Sequence, residues 1–197
     1  SSVYRELGKD AKALAALEIA YDRGLIAEEA DLLRLVHYYR YLGLPHKAGK
    51  ILQTGLQKGG IKASAEHWRL LTDVWIRARE NDLALAASEK SLQKMEQGDV
   101  RLTQAELLAS KEEWSAVIDA VKQALSHPEL SSPGPAHLLQ GVAHYQLQQL
   151  DKALVSFRKA TDFDDARSQA QQWIQFIAMA RQPPARDASL YLSHRQL

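Results

Sequence analysis

The sequence predicts an all-α fold, a right-handed superhelical solenoid of helix pairs closed by a C-terminal capping helix. The first observation behind this prediction is a frame of residues that recurs five times, at intervals of 33 to 36 residues. The second is that glycine and proline lie mostly between segments with helical periodicity. A repeat of this length with helical patterning is typical of solenoids made of helix pairs.

The frame is clearest near the C-terminus, where Gly141 is followed 12, 16 and 19 residues later by Ala153, Phe157 and Ala160. Two antiparallel helices approach closely only where the contacting residues are small. We therefore expect Gly141 on the first helix of a pair to face Ala153 on the second. A bulky residue three positions after the frame start should fill the space between consecutive repeats. The five frames start at Ser1, Val36, Thr72, Ala105 and Gly141.

Helices are expected in pairs, one pair for each frame. A partial repeat over residues 1–24 has helices at 1–7 and 9–22. Repeats follow at about 28–60, 64–97, 98–130 and 133–163. Their helices are predicted at 28–42 with 45–58, 64–79 with 82–96, 99–110 with 113–126, and 135–148 with 150–163. Because the chain starts inside a repeat, we expect it to be the C-terminal part of a longer protein.

Proline and glycine account for most of these boundaries. Pro45 suits the first turn of a helix, where a missing N–H costs nothing, and Gly59 with Gly60 ends the same helix. Residues 127–135 contain three prolines and are predicted to be the one long connection, without helix.

Residues 164–181 are predicted to form the capping helix, and 183–197 a tail that begins at two prolines. One apolar stripe on a polar helix is what the end of a solenoid requires. Phe176 and Met179 lie off that stripe, so we expect them to remain partly exposed or to meet a partner, a second copy or the tail. The stripe consists of Ala170, Trp173, Ile174, Ile177 and Ala178.

Composition limits the function classes. A chain of 197 residues that is 46% hydrophobic and 25% charged can bury a core. Its formal net charge of +1 gives no electrostatic reason to expect nucleic acid, and no apolar run could span a bilayer. No catalytic or nucleotide-binding motif occurs, and without cysteine there are no disulfides or thiolate metal sites. We therefore expect no enzyme activity, no cofactor and no metal.

The first helices of such a solenoid line a concave groove. Positions three before, one after, and four or five after each frame start are expected to point into it. Basic and aromatic side chains cluster in its first half, and residues such as Leu102, Leu138 and Val142 give the second half a more apolar floor. The candidate partner-binding residues are His37, Arg40, Tyr41, Arg69, Asp73, Arg77 and Tyr145.

The arginines of this set would suit a carboxylate or an extended acidic peptide. The alternative is structural, because Arg69 and Asp73 are four residues apart and could pair across one helical turn.

These motifs resemble the tetratricopeptide repeat. Residues 67–75 are similar to its first helix, and residues 140–160 are similar to its Leu-Gly, Ala, Phe, Ala pattern, although Gln140 replaces the leucine. The resemblance implies a solenoid that binds proteins or peptides. Co-chaperones of this family grip a chaperone's C-terminal carboxylate, but Thr103 and Leu139 cannot complete that clamp here, so chaperone-tail binding is not expected.

Three runs, 15–24, 47–56 and 170–174, resemble the tetratricopeptide proteins associated with TonB systems of Gram-negative bacteria. This resemblance implies a periplasmic or cell-envelope accessory of a TonB-ExbB-ExbD complex in iron-siderophore uptake. The lack of cysteine suits an oxidising compartment. The alternatives are a scaffold for another envelope assembly, such as outer-membrane, pilus or peptidoglycan machinery, and the docking domain of a larger regulatory or enzyme-bearing protein, which could be cytoplasmic.

Overall fold

The structure, a computed structural model, describes residues 14–26 and 28–181, and all regular elements in these ranges are α-helices. The predicted helix at 1–7 and the tail at 183–197 lie outside the described residues. The helices are α1 (14–22), α2 (Glu29–Tyr41), α3 (Pro45–Lys58), α4 (Ala65–Arg77), α5 (Asn81–Lys94), α6 (Gly98–Ser110), α7 (Trp114–Ser126), α8 (Pro133–Gln146), α9 (Leu150–Ala160) and α10 (Asp164–Arg181).

Neighbouring helices pack as antiparallel pairs, and the pairs stack in sequence order. The pairs are α2 with α3, α4 with α5, α6 with α7 and α8 with α9, while α10 packs against both α9 and α8. Each turn inside a pair contains one left-handed residue, always seven positions after the frame start. These residues are Gly43 (φ 71°), Arg79 (60°), Glu112 (59°) and Gln148 (59°). The prediction of an all-α solenoid is thus confirmed.

Small residues of the frame make room for large ones. A Cβ at Gly141 would lie 2.5 Å from the ring of Phe157, which is fully buried. The group nearest to Gly141 is therefore the ring of Phe157, one turn beyond the Ala153 that we expected opposite it. A Cβ at Gly49 would lie 2.6 Å from Trp75 on the next repeat. Trp75 therefore fills the space between repeats, as its position three after the frame start predicted.

The structure contradicts three smaller expectations. Helix α8 begins at Pro133, inside the predicted connection 127–135, because proline is accepted in the first turn of a helix. Ala178 is exposed, so the buried stripe of α10 is narrower than predicted. Leu102, expected in the groove, is buried in the core of the α6–α8 region.

Candidate peptide-binding groove

The first half of the groove holds three adjoining cavities that share His37. The largest, about 680 Å³, lies among α2, α4 and the α5–α6 connection. A second, about 310 Å³, is lined by His37, Arg40, Tyr41 and Arg77, and we call it the cationic cavity. A third, about 320 Å³, adds Arg34 and Tyr38. The structure therefore brings together the residues predicted on α2 and α4.

The cationic cavity contains no acidic side chain. Neither the Arg40 nor the Arg77 guanidinium group has a hydrogen bond or an ion pair within the described residues. Tyr41 beside them is 70% exposed, so its ring and hydroxyl are accessible from the groove. The cavity thus presents two uncompensated positive charges and one amphipathic aromatic side chain.

The largest cavity has mixed charge. It is lined by Arg69 and Asp73, yet these two form no ion pair, contrary to the structural alternative raised by their spacing. The pKa of Asp99 is lowered mainly by the hydrogen bond that its carboxylate accepts from Ser131. The charge of Arg69 makes only a minor contribution to this lowering. His67 and Glu66 line the same cavity. This cavity can accept a segment that carries acidic and basic side chains.

The second half of the groove is lined by fewer charged side chains than the first. Leu138 and Val142 are half-buried against the C-terminal core. Glu106, one position after a frame start, is exposed as a whole residue, but burial of its carboxyl group raises its pKa. Both observations fit a groove whose second half is less polar than its first.

The groove ends in a cleft between α8 and α10 of about 410 Å³, which we call the aromatic cleft. Tyr145 lies 5.1 Å from Trp173 and 5.9 Å from Phe176, measured between ring centroids. Phe176 is 50% exposed, as predicted, and Met179 on the same helix is 70% exposed. The lining residues are Tyr145, Gln169, Gln172, Trp173 and Phe176.

Solved structures of other proteins share this architecture. A crystal structure of MamA is 21% identical, with a TM-score of 0.65 over 85% of this chain and 90% of that one. YrrB, a TPR protein with an unusual peptide-binding site, is 16% identical, with a TM-score of 0.67 over 87% of this chain and 86% of that one. The chain has the tetratricopeptide-repeat fold. At these identities the likeness concerns the fold alone; no family model and no curated protein matches the sequence.

Several residues that line the cavities were not predicted as site residues from the sequence. Trp173 packs against the C-terminal core, as its place in the stripe predicted, and its ring also lines the aromatic cleft, which was not predicted. The available signal was that Trp173 follows Ala170 by three positions, as Trp75 follows Thr72. Met95 and Gln97, which line the largest cavity from the α5–α6 connection, carry no such signal.

No group of three His, Asp or Glu side chains in the part of the chain that the structure describes is placed to hold a metal ion. None of the helices in that part is long and apolar enough to span a membrane.

Proposed function

We propose that this chain is a non-catalytic scaffold for protein–protein interaction whose groove holds an extended, carboxylate-bearing segment of a partner. The observation that carries this proposal is the cationic cavity, where Arg40 and Arg77 lie beside His37 and Tyr41 without any acidic residue. The fold supports the general role of an interaction scaffold, because helix-pair solenoids present extended concave binding surfaces.

The unpaired state of the arginines favours a carboxylate ligand. A guanidinium group binds a carboxylate through two parallel hydrogen bonds, and charge-assisted bonds of this kind are roughly twice as strong as neutral ones. Because the guanidinium groups of Arg40 and Arg77 have no internal partner within the described residues, an incoming carboxylate breaks no existing ion pair. Tyr41 adds apolar contact area and a hydroxyl group.

An extended segment fits better than a compact ligand, because the three cavities adjoin through His37 and form one open surface. Exposed charges contribute more to specificity and association rate than to affinity. We therefore expect binding in about the micromolar range that weakens as salt is added.

The test is fluorescence anisotropy with a labelled oligoglutamate peptide. The variant Arg40→Glu with Arg77→Glu should lose binding. The matched control is Lys90→Glu with Arg158→Glu, which changes the net charge equally at exposed positions of α5 and α9. Equal loss in both variants would show a general charge effect, and no loss in either would contradict the proposal.

For the partner, we propose a component of a TonB-ExbB-ExbD complex, with the chain acting in the periplasm or cell envelope. This rests on the resemblance of residues 15–24, 47–56 and 170–174. The test compares wild type with an Arg69→Glu, Arg77→Glu variant for capture of TonB-system components and for growth on an iron-siderophore as sole iron source. Equal capture and equal growth, with the variant still folded, would mean that the groove is not the working surface or that the family placement is mistaken.

A further inference from the structure

We infer that the segment bound in the groove has two parts: a carboxylate-rich stretch at the cationic cavity and an uncharged anchor of aliphatic or proline side chains in the aromatic cleft. The inference rests on the proposed function and adds the chemistry of the partner's second part. It depends on the lining of the cleft, on the side of the solenoid that the cleft faces, and on its distance from the arginines.

The aromatic cleft is preorganised for an apolar side chain. Trp173 is stacked on the buried ring of Phe157, with centroids 5.4 Å apart and an interplanar angle of 6°. Phe176 meets Trp173 edge-on at 5.9 Å and 89°. Rings held in this way lose little conformational freedom when a ligand packs against them. The cleft can therefore serve as an anchor site without rearrangement.

The lining of the cleft selects against charge. None of its five side chains belongs to an acidic or basic residue, so a charged group that entered would lose hydration without gaining a counter-charge. Aliphatic and proline side chains pack well on aromatic surfaces of this kind. Gln169 and Gln172 at the same cleft offer amide donors and acceptors for the backbone of an extended segment.

The repeat frame assigns the cleft and the cationic cavity to the same face of the first helices. Tyr145 lies four positions after the frame start of α8, the place that Arg40 holds on α2. Among the described residues no second helix pairs with α10, whereas each preceding first helix has one. A segment lying along the first helices can therefore continue from the arginines into the cleft.

The distance between the two sites sets the spacing of the two parts. The cationic cavity lies between α2 and α4, and the cleft lies between α8 and α10, three first-helix steps away. Directly packed helices lie 8–10 Å apart, and successive first helices contact each other less than the helices of a pair do, so the sites are at least roughly 24–30 Å apart. An extended chain rises about 3.3 Å for each residue, so at least about seven to nine residues separate the acidic stretch from the anchor.

The experiment measures the affinity of synthetic peptides that join an oligoglutamate stretch to a Leu-Pro-Leu anchor through Gly-Ser spacers of increasing length. Affinity should rise at least about tenfold over the oligoglutamate peptide when the spacer reaches about seven to nine residues, and a spacer of about two residues should give no gain. Phe176→Ala and Tyr145→Ala should abolish the gain. Val155→Ala, at an exposed apolar position on α9, should preserve it.

Other outcomes overturn the inference in distinguishable ways. If oligoglutamate binds through Arg77 but no spacer gives a gain, the anchor is wrong and the proposed function stands. If the anchor binds through Phe176 but the affinity does not depend on the glutamates, the proposal that the cationic cavity binds carboxylates is wrong. If a gain appears only after Leu190→Ser with Leu192→Ser, the tail occupies the cleft. If Phe176→Ala changes the sedimentation of the free protein, a second copy occupies it.

Discussion

Replacing Gly141 by alanine tests whether the repeat frame reflects close helix packing. A Cβ at this position would lie 2.5 Å from two ring atoms of Phe157, well inside the 3.5–4.0 Å at which carbon atoms make favourable contact. The ring cannot easily move away, because it is fully buried and stacked on Trp173. The added methyl group therefore requires a shift of about 1 Å between packed elements.

Two opposing effects set the size of the change. Alanine is favoured over glycine inside a helix by about 1 kcal/mol, while overpacking a filled core costs about 1–3 kcal/mol. We expect Gly141→Ala to destabilise the chain by up to about 2 kcal/mol, the difference between these two terms. With Phe157→Ala present, the ring is absent and the same substitution should stabilise by about 1 kcal/mol.

The assay is a double-mutant cycle in urea, followed by circular dichroism. The coupling free energy between positions 141 and 157 should be about 1–3 kcal/mol. Ser168→Ala, at an exposed site of α10, is the propensity control and should change stability by less than about 0.7 kcal/mol. Additive effects, or stabilisation by Gly141→Ala in the wild-type chain, would refute the packing explanation.

Three further predictions concern stability. Ala153→Leu, at a fully buried position of α9, should cost about 1–3 kcal/mol, and an unchanged melting temperature would count against the register. Ser64→Ala should cost about 1 kcal/mol in urea unfolding, because the Ser64 side chain caps α4 by accepting a hydrogen bond from the His67 N–H. Burial lowers the pKa of His137 and His144, assisted by Lys159 at His137 and by Lys152 and Lys122 at His144. Gln140 and then Asp162 oppose this shift in pKa at His137, and the hydrogen bond with Gln149 opposes it at His144. Their neutral forms are therefore favoured in the folded chain. The contribution of these two histidines to the free energy of unfolding is fully present above about pH 6.5, the pKa of an unfolded histidine, and is lost as pH falls below it. The urea midpoint should drop on acidification, and replacing both histidines by Asn should reduce the drop; an unchanged drop would assign it to other groups.

The order of the helices could be predicted because the packing within each repeat requires small and bulky residues at fixed spacing, and this spacing is visible in the sequence. The turns could not be recognised in the same way. Of these four turn residues only Gly43 is of a type that readily adopts a left-handed backbone, whereas Arg79, Glu112 and Gln148 adopt it without that signal in the sequence. The start of α8 at Pro133 was missed because proline breaks a helix interior but is accepted in a first turn.

The groove positions on α2 and α4 also followed from the frame, since a helix face is fixed by spacing. Whether Arg69 pairs with Asp73 was beyond the sequence, because that depends on side-chain rotamers and on competing neighbours. The aromatic cleft was missed for a different reason. Helix α10 begins only a short turn after α9, so Ala170 takes the place of a frame start earlier than the repeat interval predicts.

The central claim, that the concave groove is the working surface, can be tested by site-specific cross-linking. The chain contains no cysteine, so a single introduced thiol gives an unambiguous attachment point. We compare His37→Cys, at the residue shared by the three groove cavities, with Glu89→Cys, at an exposed position of the second helix α5. An oligoglutamate peptide carrying a bromoacetyl group should attach at position 37 and not at 89, and added salt should slow the reaction. Equal attachment at both positions, or attachment only at 89, would contradict the claim.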